Sequence, residues 1–129
     1  MSSEVQIQDL RFKPYISKNE IESAVTKIAN KISSDYMGKD PLFICILNGS
    51  FIFASDLLKS IDFPCNIEFV RLKSYDGTKT TAEIKEILGL QVNLKDKDII
   101  IIEDIVDTGH TLSSFLERVA QDEPRSVRV

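Results

Sequence analysis

Residues 99–102 are four consecutive isoleucines, followed at once by Glu103 and Asp104. β-Branched side chains lose rotamer freedom in a helix and pack well on a pleated surface. A run that is apolar at every position needs cover on both faces, which is the situation of an inner strand in a parallel sheet. Leu42–Leu47 is a second such run, bounded by Pro41 before it and by Asn48, Gly49 and Ser50 after it. Two fully covered strands require helices above and below, and the rest of the chain supplies them. Within Ser17–Ser34 the residues Ile21, Val25, Ile28, Ala29 and Ile32 recur at helical spacing, and Ser17 with Glu20 has the spacing of a capping box. Phe51, Ala54, Leu57, Leu58 and Ile61 repeat the pattern over Phe51–Ile61, and Thr111–Ala120 predicts a third helix closed by Pro124. Shorter strands are predicted over Ile67–Leu72, over Ile84–Leu90 and from Ser126 to Val129, with a charged turn over Lys95–Asp98 and a loop over Ser74–Ala82. Helices alternating with strands predict an α/β fold, a mainly parallel sheet flanked by helices. Residues 1–129 are expected to form one domain.

Composition narrows the partners. With 43% hydrophobic and 28% charged residues in 129, the chain can bury roughly two thirds of its surface and needs no disulfide or metal to fold. A formal charge of -4 leaves no excess of Lys and Arg to release counterions from a phosphate backbone, so a nucleic-acid partner is not expected. Cys45, Cys65 and the single histidine His110 are too few for a common structural zinc site. Cys45 lies within an apolar run and reads as a small buried hydrophobe, and a reducing compartment is expected. Met1–Leu10 alternates polar and apolar residues and carries acids, unlike a cationic leader. No apolar run approaches the ~20 residues that span a bilayer. A cytoplasmic protein without a membrane partner is expected.

The chemistry is concentrated in Ile99–Leu112, which reads IIIIEDIVDTGHTL. The buried strand delivers Glu103 and Asp104 to its carboxyl end, where ligands bind in open α/β sheets. Adjacent acids there are costly unless a cation or hydroxyls meet them. Asp107, Thr108, Gly109, His110 and Thr111 then form a short loop opening onto a helix, able to aim several amides and two hydroxyls at one anion. Gly109 lets the backbone approach that anion closely. A ligand with a phosphate at one end and a polyol plus metal at the other, such as a sugar phosphate, suits this combination. On spacing alone, Asp107 or Thr108 could equally be a cap for the following helix. The Asp-Thr-Gly triplet also occurs in aspartic proteases, but those chains are almost wholly β and this one carries amphipathic helices. Neither a Walker A loop nor the G-x-G-x-x-G fingerprint is present.

The run EDIVDTGHTL resembles the phosphoribosyl pyrophosphate (PRPP) binding motif of type I phosphoribosyltransferases, in the form used by the hypoxanthine-guanine branch. LNGSFIFASDLL (Leu47–Leu58) is similar to that branch's first active-site loop and helix. FVRLKSYDGTKTTAEIK (Phe69–Lys85) is similar to its strand, Ser-Tyr pair and covering loop. The resemblance implies transfer of the 5-phosphoribosyl group from PRPP to a 6-oxopurine, with release of pyrophosphate and with Mg²⁺ as cofactor. It implies that Glu103 and Asp104 hold the ribose hydroxyls and the metal, and that Asp107 is the general acid/base at N7 of the purine. Thr108, Gly109, His110 and Thr111 would bind the 5'-phosphate, His110 through its amide. Asn48 and Gly49 would contact pyrophosphate, in the family through a cis peptide, and Ser74 and Tyr75 would close over it. The first loop often has Lys or Arg where this chain has Asn48, so that contact would rest on backbone amides. The family's later lysine and stacking aromatic, which recognise the purine, and an aspartate that helps to bind metal, have no counterpart before Val129. The chain is therefore expected to be truncated at its C-terminal strand. A homo-oligomer, dimer or tetramer, is expected by analogy. The alternative function is a PRPP- or nucleotide-binding module without turnover.

Overall fold

The computed structural model describes residues 4–74 and 84–129. In chain order the elements are β1 (Val5–Ile7), β2 (Leu10–Phe12), α1 (Lys18–Tyr36), β3 (Leu42–Leu47), α2 (Phe51–Lys59), β4 (Asn66–Ser74), β5 (Ile84–Leu88), β6 (Asp98–Ile102), α3 (His110–Ala120) and β7 (Ser126–Arg128). The main sheet has the order β5-β4-β3-β6-β7. β3 runs parallel to both β4 and β6, and β6 parallel to β7, whereas β5 returns antiparallel along β4. The expected mainly parallel sheet is therefore present, flanked by helices on both faces.

Period-two alternation in the inner strands β3 and β6 builds most of the core. Phe43 and Cys45 of β3 and Ile100 and Ile102 of β6 face Val25, Ala29 and Tyr36 of α1 and Ala54 and Leu57 of α2. Leu42, Ile44, Ile46, Ile99 and Ile101 face the other way, with Val70, Leu94 and the α3 residues Phe115 and Val119. That is why every position of Ile99–Ile102 is apolar. Phe43 and Phe115 are fully enclosed, and cutting either back to Ala would cost about 3–5 kcal/mol. Burial pushes the Cys45 thiol up to about 11, in keeping with its reading as a core hydrophobe. The α1 capping box forms as expected, with the Glu20 amide donating to Ser17 Oγ and the Ser17 amide donating to Glu20 Oε2.

Several expectations are corrected. The alternation at the N-terminus forms an antiparallel hairpin, in which Val5, Ile7, Leu10 and Phe12 share one face. Asp98 belongs to β6 and not to a charged turn: it is buried, and its carboxylate accepts two bonds from Arg125 (3.1 and 2.6 Å) and one from Ser126 Oγ (2.7 Å). This clasp holds the start of β7 against the start of β6. Ile21, Ile28 and Phe51 are exposed although the helical periodicity placed them on buried stripes, as are Ile67 and Phe69 of β4. Among the described residues no helix is long and apolar enough to cross a membrane. The predicted loop from Tyr75 to Ala82 lies outside the described residues.

Candidate active site

Strand order creates the site. From β3 the chain passes through α2 to β4 on one side, and from β6 it passes through α3 to β7 on the other. The sheet therefore changes winding direction between β3 and β6, which leaves a crevice outside their carboxyl ends. Cys45 and Ile102 are register partners, so the turn after β3 and the loop after β6 emerge side by side.

A cleft of about 360 Å³ opens there, lined by Leu47, Gly49, Glu103, Asp107, Thr108, Gly109 and Thr111 among others, over an apolar floor that includes Ile46, Leu72 and Leu112. Six residues singled out in the sequence thus meet in one cavity. Asp104 stands against Gly49 from the neighbouring side. It also ends a larger groove of about 450 Å³ that runs between α1 and β6 and is mostly apolar. The smaller cleft is the more polar of the two and is lined by Glu103, Asp107 and the loop Thr108–Gly109. Asn48 is exposed on the turn and His110 is exposed as the first residue of α3. Ser74 ends β4, its backbone paired with Ile84. Tyr75 lies outside the described residues.

The peptide between Leu47 and Asn48 is cis, the geometry that the resemblance implied for this turn. Across from it, Gly109 adopts φ +82° at the N-cap of α3 and has no side chain of its own to cap that helix. The His110 amide bonds to Thr108 Oγ1 at 3.4 Å and the Ser113 amide to the Gly109 carbonyl at 2.8 Å. Between them, the amides of Thr111 and Leu112 point out of the helix end, whose dipole favours an anion.

Glu103 and Asp104 behave as a pair. The Asp104 amide donates to Glu103 Oε1 at 2.9 Å. Burial, then the neighbouring Asp104 carboxyl, pushes Glu103 up to about 6. The Glu103 side chain, followed by the Ile105 amide, holds Asp104 below the usual carboxylate range. Glu103 is thus the member that more readily carries a proton. No lysine or arginine forms an ion pair with either acid among the described residues. Hard oxygen donors without a cation fit Mg²⁺, which takes one or two carboxylates and fills its remaining positions with water and phosphate oxygens. Among the described residues no group of three or more His, Cys, Asp or Glu comes together.

Sequence reasoning missed Ile105 and Val106. They are 75% and 54% exposed and line the cleft next to Asp107. Apolar residues inside a polar loop were the available signal.

The family model described as "Phosphoribosyl transferase domain" matches residues 16–129. The chain belongs to this family. Among its phosphoribosyl transferase relatives, the hypoxanthine-guanine-xanthine phosphoribosyltransferase of Tritrichomonas foetus is 31% identical, over 88% of this chain and 62% of that protein. The hypoxanthine-guanine phosphoribosyltransferase of Streptococcus pyogenes is 34% identical, over 95% of this chain and 68% of that one. A crystal structure of a hypoxanthine-guanine phosphoribosyltransferase from Bacillus anthracis superimposes with a TM-score of 0.82 at 29% identity, covering 96% of this chain and 70% of that one. The chain thus spans about two thirds of the length of these relatives.

Proposed function

We propose that this protein acts in purine salvage, transferring the 5-phosphoribosyl group of PRPP to hypoxanthine or guanine to give IMP or GMP and pyrophosphate. The observation that carries the reading is one cleft at the switch point, where Glu103 and Asp107, ion-paired with no Lys or Arg among the described residues, meet the start of α3 at Gly109. The names of the relatives above support the choice of base.

In this reading the N–H groups of Gly109, His110, Thr111 and Leu112, with the Thr108 and Thr111 hydroxyls, hold the 5'-phosphate. Glu103 and Asp104 lie under the ribose hydroxyls. As N9 of the base attacks C1', the bond to the pyrophosphate oxygen breaks with its electron pair, and positive charge builds on the sugar above these carboxylates. Asp107 accepts the proton from N7 of the purine as the new bond forms. Ile105 and Val106 offer an apolar surface to the flat face of the base. The leaving group sits at the amides of Asn48 and Gly49, since Asn48 brings no charge of its own, and Ser74 and Tyr75 close over it. Glu103 and Asp104 are the residues that would hold Mg²⁺, which when bound supplies charge neutralisation on the diphosphate. The assembly is a homo-oligomer and the compartment the cytoplasm.

The test is nucleotide formation from PRPP, Mg²⁺ and hypoxanthine or guanine, followed beside PRPP binding. Product formation supports the transferase. Binding without product would leave a PRPP-binding module in its place.

A further inference from the structure

We infer that Ser50 is a positioning residue for the anion-binding turn, acting through Asn48 and Gly49. The inference rests on the phosphoribosyl-transfer reading and deepens it. Ser50 is fully buried, and with Asp98 it makes up the buried polar set of the described residues. It occupies the N-cap of α2, where a serine normally turns its oxygen to the amide two or three residues on. Here its backbone is helical (φ -79°, ψ -7°) and that capping bond is not made. The hydroxyl instead donates backwards to the carbonyl of Ile46, and the Ser50 amide donates to the same oxygen at 3.3 Å.

Ile46 is fixed in β3, paired with Val70 of β4. At the other end the Ser50 carbonyl accepts the Ala54 amide at 2.7 Å and so belongs to α2. Residues 47–49 are therefore strung between a strand and a helix whose junction Ser50 closes. Gly49 meanwhile lies against the Asp104 carboxyl with no space for even a methyl group. A small drift of this turn would change the distance between the diphosphate amides and the acids. Without the hydroxyl, only the longer amide contact holds the turn to β3. The phosphate loop at Thr108–Thr111 is on a different strand and does not share this tie.

The experiment is calorimetric titration of the chain and of Ser50→Ala with two separate ligands, pyrophosphate with Mg²⁺ and ribose 5-phosphate. Losing one buried hydrogen bond that orders a binding turn is expected to weaken pyrophosphate roughly tenfold. Ribose 5-phosphate affinity is expected to stay within about twofold. Ser50→Gly, which removes the same hydroxyl, is expected to give the same split. Equal weakening of both ligands would show general loosening and overturn the role, as would pyrophosphate affinity within about twofold of the unmodified chain. If the unmodified chain binds neither ligand, the phosphoribosyl reading itself fails and takes this inference with it.

Discussion

Gly49 and the Asp104 carboxyl share one space. A Cβ on Gly49 would lie 2.5 Å from Asp104 Oδ2 and 2.8 Å from its Cγ. The turn after β3 and the acidic pair after β6 are thus in van der Waals register, and neither can move toward the other.

Gly49→Ala must therefore displace the Asp104 carboxyl or push the turn out of the cleft. The expected outcome is at least tenfold weaker binding of PRPP with Mg²⁺, of the order that follows from misplacing one charged contact. The melting temperature should change little, because Gly49 itself is exposed. Calorimetry and thermal melts on the same sample check both halves.

Gly38 and Gly109 make a matched pair, with φ of +83° and +82°. An alanine at either position costs about 1–2 kcal/mol in the left-handed region. Gly38 ends the α1 turn in open space, so Gly38→Ala should lower stability alone. Gly109→Ala should lower stability similarly and also weaken ribose 5-phosphate roughly tenfold, since it re-aims the first amides of α3.

Asp107→Ala should reduce nucleotide formation by about 10²–10⁴-fold, the usual range for loss of a general acid/base. PRPP affinity should be nearly unchanged. A parallel loss of both would move Asp107 from proton transfer to substrate binding.

Asp98 gives a pH prediction. Its carboxyl is held below its ordinary value of 3.8, first by the hydrogen bond from Arg125, with Ser126 adding to it. The unfolded chain then binds the proton more readily, so this contribution is present above pH 3.8 and is lost as pH falls through the folded value. Asp98→Asn should destabilise the protein by about 1–2 kcal/mol at pH 7, discounted for the exposed Arg125 partner. The gap from the unmodified chain should close in acid, as followed by urea unfolding across pH.

Much of this fold is legible in the sequence because burial on two faces leaves a plain record. Ile99–Ile102 and Leu42–Leu47 are apolar at every position, and the structure lays them side by side at the centre of the sheet. The loop that follows Ile102 could be read because strand, acids and glycine occur in one stretch. Contacts between distant segments were not legible. The closeness of Gly49 to Asp104 depends on the β3–β6 pairing, and the Asp98 clasp on Arg125 and Ser126 arriving 27 and 28 residues later. Ser50 looked like one more turn residue, because only its burial and its bond to Ile46 set it apart. The hairpin of β1 and β2 was missed although Met1–Leu10 alternates, because each strand has only three residues, too short for that alternation to mark a paired strand.

Calorimetric titration of the chain with PRPP in the presence of Mg²⁺ tests the central claim most directly. Saturable one-to-one binding is predicted, competed by ribose 5-phosphate and by pyrophosphate alike and weakened by both Gly49→Ala and Gly109→Ala. An absence of saturable heat, or binding that both substitutions leave untouched, would contradict the placement of the phosphorylated sugar between β3 and β6.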